Sequence, residues 1–359
     1  MNLLKLKSEE NVHYKYALKQ EINIASSGNT APHSYPPSLD LHPLINKFRN
    51  NNYFQVDSES EDGWYQFLLK KVKPCKLGLS LGSGDARHEK RLSELGLVKK
   101  WINVDLAENP LDEFSQNGEN EFLYGDLNFM DLPENKFDLI YCNAFLHHIV
   151  NLEHLFEKIH KSLTSEGVLI VYEYAGENKW QWDAEKYTLL KKEFEECLPK
   201  EISGITFKRP SLYFMSERPF ESIRASEIPV IINNLFVPIY ENYWNRIIYP
   251  FINSVVIPKK YSGNEKIIIF LIERAIELEI KNKDNFDLLA TELNGIYRKK
   301  ENPIIKEIVP WTEIEIKENL GKIKAPVMYE LMKFIKNLLR KPYRQLTRGY
   351  SFLGRRQRS

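Results

Sequence analysis

A chain of 359 residues with 43% hydrophobic side chains can bury one large core or two smaller ones. Its 50 Lys and Arg nearly cancel its 49 Asp and Glu, leaving a formal charge of +1, which excludes the global basic field that recruits nucleic acid. Three scattered cysteines, Cys75, Cys142 and Cys197, form neither a disulfide framework nor a metal spacing. No run reaches the roughly 18 apolar residues of a membrane span, and "MNLLKLKSEENVHYKY" lacks the apolar core of a signal peptide, so a cytoplasmic protein is expected.

In chain order, residues 1–71 read as a helical N-terminal arm, loosely ordered and turn-rich at "SSGNTAPHSYPPS", followed by a helical segment from Leu41 to Lys71. From Lys76 to Tyr174 the apolar runs "LGLSL", "WINVDL", "NEFLYGDL", "FDLIYCNAF" and "GVLIVYEY" alternate with helical patterns. Such alternation predicts βα units and an α/β fold with a parallel sheet covered on both faces. Leu152–Leu163 is predicted as an amphipathic helix with Ser165-Glu166-Gly167 as its exit turn, and Asp183–Leu198 as another helix closed by Pro199. Further on, "NNLFVPIYENYW", two helical segments (about Arg246–Val256 and Asn264–Ile280) and "NFDLLATELNGIYRK" predict that the sheet ends in an antiparallel pair. The domain of interest is expected over 72–300, with a substrate lid or insertion over about 176–285 and a basic helical extension over 301–359.

The glycine turn "LGSGDAR" lies between a strand and a helix. That order presents backbone N–H groups and a positive helix end at the carboxyl edge of a sheet. Gly82-Ser83-Gly84 lacks the third glycine of a dinucleotide fingerprint, and no Lys-Ser pair follows as in a phosphate loop. Strand-end carboxylates and amides add meaning. Asp105 ends the second strand and can accept both hydroxyls of a ribose; Asp126 ends the third and Asn143 the fourth, on the same edge. Each has a plain alternative as a helix cap, but together they outline one ligand site.

The motifs "LSLGSGDARHE", "VDLA", "YGDLNF", "FDLIYCNAFLHHIVNLEHLFEKI" and "LTSEGVLIVYEY", in that order and spacing, resemble those of class I S-adenosylmethionine-dependent methyltransferases over roughly Trp64 to Lys300. "GENKWQW" and "PFESIRASEI" resemble a subgroup found beside sugar and polysaccharide biosynthesis. The resemblance implies a Rossmann-like, doubly wound seven-stranded sheet with an antiparallel last strand. It also implies S-adenosyl-L-methionine as cofactor, with Gly82, Ser83 and Gly84 facing its methionine part, Asp105 its ribose, and Asp126 with Leu127 its adenine. Ser80 stands where an acid is usual and Ala86 where a third glycine is usual. A nicotinamide enzyme would share the turn and Asp105 but not Asp126 or the "LHH" run.

Methyl transfer to oxygen needs positioning and removal of one proton. His147 and His148, just past Asn143, and Glu173 at the end of the fifth strand are the candidate catalytic groups, with structural packing as the alternative for both histidines. Tyr174, Trp180 and Gln181 are candidate substrate contacts, and Arg224 a candidate clamp for phosphate or carboxylate, against a salt-bridge role. No His/Asp/Glu cluster has ligand spacing, so no metal is expected. Asn143-Ala144-Phe145 is not the Asn/Asp-Pro-Pro-aromatic turn of base amino-methyltransferases, so nucleic acid is not expected as substrate. The expected acceptor is a small molecule or glycan; a non-catalytic scaffold and protein or nucleic-acid methylation are the alternatives. From Lys333 to Arg358 nine Lys or Arg stand without an Asp or Glu, beside an apolar stripe of Met332, Phe334, Ile335, Leu338 and Leu339. This tail suits peripheral contact with the inner face of an anionic membrane, or docking to a partner.

Overall fold

The structure, a computed structural model, describes residues 11–26, 42–59, 62–107, 120–199, 203–209, 218–261, 263–285 and 288–303, with positions 114, 315, 319 and 320. Seven strands form one mixed sheet: β1 (Cys75–Leu81), β2 (Val98–Asp105), β3 (Glu121–Tyr124), β4 (Phe137–Asn143), β5 (Leu163–Tyr174), β7 (Phe236–Trp244) and β9 (Glu292–Lys299). Their order is β3-β2-β1-β4-β5-β9-β7. β1 pairs in parallel with both β2 and β4, and β4 with β5, whereas β9 runs antiparallel to β5 and β7. This is the doubly wound Rossmann-like sheet with an antiparallel last strand that the sequence predicts. β6 (Thr206–Phe207) and β8 (Val255–Val256) form a small separate pair.

The central strands are near-continuously apolar because helices cover both faces. On one face α5 (Leu152–Ser162) and α7 (Ile228–Leu235) pack Leu155, Ile159 and Ile232 against Leu81, Val104, Ile140 and Leu169. On the other, α3 (Gly63–Lys71) and α4 (Arg87–Glu94) bring Trp64, Phe67, Leu68 and Leu92 onto Leu139, Tyr141 and Ile170. A third cluster joins α2 (Pro43–Arg49), α6 (Ala184–Cys197), α8 (Ile248–Ser254) and α9 (Glu265–Asn282) around Phe194, Phe251 and Leu271. The direction of strand succession reverses between β1 and β4, so their carboxyl ends open a crevice where such folds bind ligands.

The helical N-terminal arm is helix α1 (Val12–Ser26), which buries Tyr14 and Ala17 against Val150, Phe220 and Leu320. Two local expectations are corrected. The stretch from Leu41 to Lys71 is broken, because α2 passes into a π-helical turn, Asn50–Phe54, that ends at Gln55 in the left-handed region (φ 54°). Ser165-Glu166-Gly167 is no exit turn but part of β5, taken up where the register jumps from Phe137–Leu163 to Leu139–Val168. The basic tail lies outside the described residues, and among the described residues no helix is long and apolar enough to cross a membrane.

Candidate functional site

At the carboxyl ends of β1, β2 and β4 lies a cavity of about 540 Å³ lined by Gly82, Ser83, Gly84, Asp105, Asp126, Leu127, Asn143 and His148, among others. Its floor is set by backbone geometry. Gly82 has φ +69°, and a Cβ there would meet the Phe145 ring at 2.1 Å; Gly84 has φ +54° and faces open space. Both positions therefore favour glycine. Ala86, at the position where the resemblance expects a third glycine, adopts the same left-handed conformation (φ 61°) at the head of α4. The Gly84 N–H donates to Asp105 Oδ2 (2.7 Å) and the Ala107 N–H to Oδ1 (3.0 Å), so the turn and the β2 tip are fixed to each other.

These residues fit S-adenosylmethionine. The Ser83 hydroxyl is buried without a partner, the Gly84 side is open, and Glu21, Asp105 and Asp126 supply carboxylates for a cationic ligand. Ser80 donates to Glu89 Oε1 (2.6 Å), so α4 returns a carboxylate behind β1 where β1 itself lacks one. Burial pushes that carboxyl up to about 7, against the Ser80 hydrogen bond. Asp126 is more committed than the sequence suggests. Its Oδ1 accepts from the Asn128 backbone and side chain (3.0 and 2.9 Å), and its Oδ2 from the Tyr14 hydroxyl of α1 (2.6 Å). The first helix thus closes over the Asp126 end of the cavity, and Glu21 of the same helix stands 3.0 Å from His148 Nδ1.

A second cavity, of about 330 Å³, adjoins the first and shares His88, Asn143 and Ala144 with it. Its walls are aromatic: Trp64 and Tyr65 of α3, Tyr141 of β4, Tyr172 and Tyr174 of β5, Trp180, Trp244 and Tyr249. Ala144, Trp180 and Asn245 line it with positive φ (50°, 51° and 65°). Left-handed non-glycine residues are strained and collect at ligand sites. At the junction of the cavities, His88 Nδ1 is hydrogen-bonded to the Tyr65 hydroxyl. Burial, then the Arg87 cation, push the His88 pKa down to about 4 against the pull of Asp85, so the ring is neutral at physiological pH.

Of the expected catalytic residues, His148 lines the first cavity and His147 the second, whereas Glu173 lines neither. Glu173 is fully buried and spends its oxygens inward: it accepts from the Phe145, Leu146 and Tyr174 N–H groups (2.8, 2.5 and 2.8 Å) and pairs with His147 Nδ1. It is the clamp that folds the turn after β4, not a base for the acceptor. His147 is held between that carboxylate and Glu221, whose Oε1 lies 3.3 Å from Nε2. Burial opposes its charge, but Glu173 and then Glu221 outweigh burial and raise its pKa to about 10. An imidazolium so held cannot take a proton near neutral pH. His148 lines the cofactor cavity and stacks on His147 with ring centroids 4.3 Å apart.

Arg224 is only 1% exposed; it donates to the Val150 carbonyl (2.8 Å) and to Glu153 (2.9 Å) and Glu227 (3.1 Å). Its salt-bridge alternative is the one realised, and it reaches neither cavity. Gln181 donates to the Lys179 carbonyl (2.9 Å) and lines neither cavity, whereas Tyr174 and Trp180 line the second. Sequence reasoning missed His88, Tyr65, Tyr14 and Arg49. His88 alone had a signal, since the first turn of the helix after a glycine turn lies at the same sheet edge as that turn.

Residues 79–171 match the family model described as "Methyltransferase domain". Over 101 residues the chain is 33% identical to phosphoethanolamine N-methyltransferase of Plasmodium falciparum, covering 24% of this chain and 38% of that protein. Over 115 residues it is 36% identical to malonyl-[acyl-carrier protein] O-methyltransferase of Calditerrivibrio nitroreducens, covering 31% of this chain and 44% of that one. The match thus spans less than half the length of each relative. Among solved structures, an S-adenosylmethionine dependent methyltransferase from Mesorhizobium loti is 15% identical with a TM-score of 0.39, covering 73% of this chain and 100% of that chain; the fold assignment rests on the strand order itself.

Proposed function

We propose that the chain transfers a methyl group from S-adenosylmethionine to a hydroxyl or other oxygen of a small molecule held in the aromatic cavity. The observation that carries this reading is the meeting of two cavities at His88, Asn143 and Ala144, one built for a cationic nucleoside and the other for an acceptor. The methyltransferase domain match over 79–171 and the two methyltransferase relatives support it. When bound, S-adenosylmethionine supplies a methyl already activated by its sulfonium. The chain's task is to hold the acceptor in line and remove one proton.

His88 is the group placed for that proton. An oxygen being methylated gains positive charge and its proton becomes strongly acidic, so a neutral, weakly basic imidazole suffices, with Tyr65 fixing the ring. Nitrogen is the alternative acceptor atom, since one relative is named for N- and the other for O-methylation. An amine product can leave as its ammonium and would survive loss of His88. The narrower resemblance to enzymes of sugar biosynthesis rests partly on "PFESIRASEI", whose Arg224 serves packing, so a glycan acceptor has less support than a flat small molecule. The basic tail we carry as a proposed contact with anionic surfaces, tested by vesicle sedimentation of the chain truncated after Leu331.

The test is transfer of label from methyl-tritiated S-adenosylmethionine to a panel of phenols, carboxylic acids, sugars and amines, with wild type and His88→Gln. Label in a hydroxyl compound, lost in the variant, is the expected result. Undiminished transfer by His88→Gln refutes the role of His88, and cofactor binding without transfer to any compound favours a binding protein.

A further inference from the structure

Resting on the reading of the second cavity as the acceptor site, we propose that it takes an acceptor bearing an acid group, a carboxylate or a phosphate, and that Arg49 holds that anion. Arg49 is the last residue of α2 and lines this cavity. It is 7% exposed, turned inward where a helix-terminal arginine would normally reach into water. Its Nη1 donates to the Tyr172 hydroxyl (3.1 Å), a neutral partner, and its Nε has no hydrogen-bond partner.

Among the described residues no carboxylate lies within ion-pair distance of Arg49. The two carboxylates on the cavity wall do not answer it. Glu221 is engaged by His147 (3.3 Å) and Arg218 (3.6 Å), and Glu292 belongs to the β9 end beside Tyr174. Phe54 faces the guanidinium at 6.0 Å, which covers one side of the fork without neutralising it.

A buried guanidinium without a counter-ion is costly unless something else supplies the charge, and its planar fork matches carboxylate and phosphate oxygens in pairs. The surrounding Trp64, Tyr65, Tyr172 and Trp244 present ring faces and edges rather than water, which strengthens such a pair and favours a flat body behind the acid group. The acceptor is thereby oriented at two ends, its anion at Arg49 and its reacting atom at His88. The plain alternative makes Arg49 a partner of the α2 dipole and of Tyr172 only.

The experiment titrates the full chain, loaded with S-adenosylhomocysteine, with benzoate, phenyl phosphate and the neutral isostere benzamide, for wild type, Arg49→Met and Arg49→Lys. One charge-assisted fork corresponds to roughly 30-fold in affinity. Wild type is expected to bind one of the two acids about that much more tightly than benzamide, and comparison of benzoate with phenyl phosphate says which acid. Arg49→Met should lose the preference and Arg49→Lys recover part of it, with unchanged affinity for S-adenosylhomocysteine showing that both variants are folded. If Arg49→Met does not fold, the wild-type preference and its weakening in Arg49→Lys decide.

Equal binding of acid and amide by wild type, binding of neither, or an undiminished preference in Arg49→Met overturns the proposal. The acids are also titrated without S-adenosylhomocysteine. Failure of S-adenosylhomocysteine to bind would remove the methyltransferase reading while leaving the anion site to be judged on those titrations.

Discussion

The two cavities are built in opposite ways. The cofactor cavity draws on short contiguous motifs at the ends of β1, β2 and β4, where Gly82, Asp105 and Asn143 are placed by the sheet itself. The acceptor cavity gathers side chains from Ile45 to Glu292, contributed by α2, α3, β5, α8 and the ends of β7 and β9. The first is specified by backbone conformation and strand order, the second by how appended helices pack on the sheet. A site of the first kind is stable to changes in its neighbours, whereas one of the second kind can be re-aimed by a few substitutions.

Several substitutions sharpen this contrast. His88→Gln should lower kcat by about 10²- to 10⁴-fold, the range of a lost general base, with little change in affinity for S-adenosylhomocysteine or in Tm. Its pH profile adds a second discriminator. With His88 as base, activity stays level from neutral pH upward and falls only as pH drops through about 4; were His147 the base, activity would climb toward pH 10. Steady-state rates between pH 4 and 10 separate the two. Glu173→Gln should instead act on the fold. It leaves His147 short of a buried partner and cuts stability by about 3 kcal/mol, read as a lower denaturation midpoint. A Glu173→Gln protein of unchanged stability and specifically lost kcat would return Glu173 to the catalytic group.

Smaller effects are expected where α1 meets the site. Tyr14→Phe leaves Asp126 Oδ2 without its donor and should weaken S-adenosylhomocysteine binding by about 5-fold, the scale of one hydrogen bond, with kcat unchanged. A pH effect on stability is expected as well. His147 has a raised pKa in the folded chain, so its contribution is complete below its ordinary value of 6.5 and fades as pH rises through about 10. Denaturation midpoints should therefore fall between pH 7 and 10, and more steeply in wild type than in His147→Gln.

Legibility in the sequence followed the same division. The succession of βα units, the antiparallel end of the sheet and the glycine turn could be read because they show as local pattern: apolar runs at βα spacing and glycines where φ must be positive. The setting of His147 could not be read because its partners, Glu173 and Glu221, are far along the chain and become partners only on folding. Arg224 matched a motif, yet its two carboxylates lie on α5 and beside α7 and turn it into a packing element. Arg49 and Tyr65 carried no signal, since nothing in a helical stretch tells which polar side chain will be turned into a cavity. The bounds of helix α1 could not be read because it has neither an acidic first turn nor a basic last turn and gains its stability from docking.

One measurement bears most directly on the larger cavity: isothermal titration of S-adenosylhomocysteine into the wild-type chain and into Asp105→Ala. Micromolar binding to wild type is expected, weakened by at least 30-fold when the carboxylate joining the glycine turn to the β2 tip is removed. No binding to wild type, or equal binding to both, would contradict the assignment of the larger cavity to the cofactor.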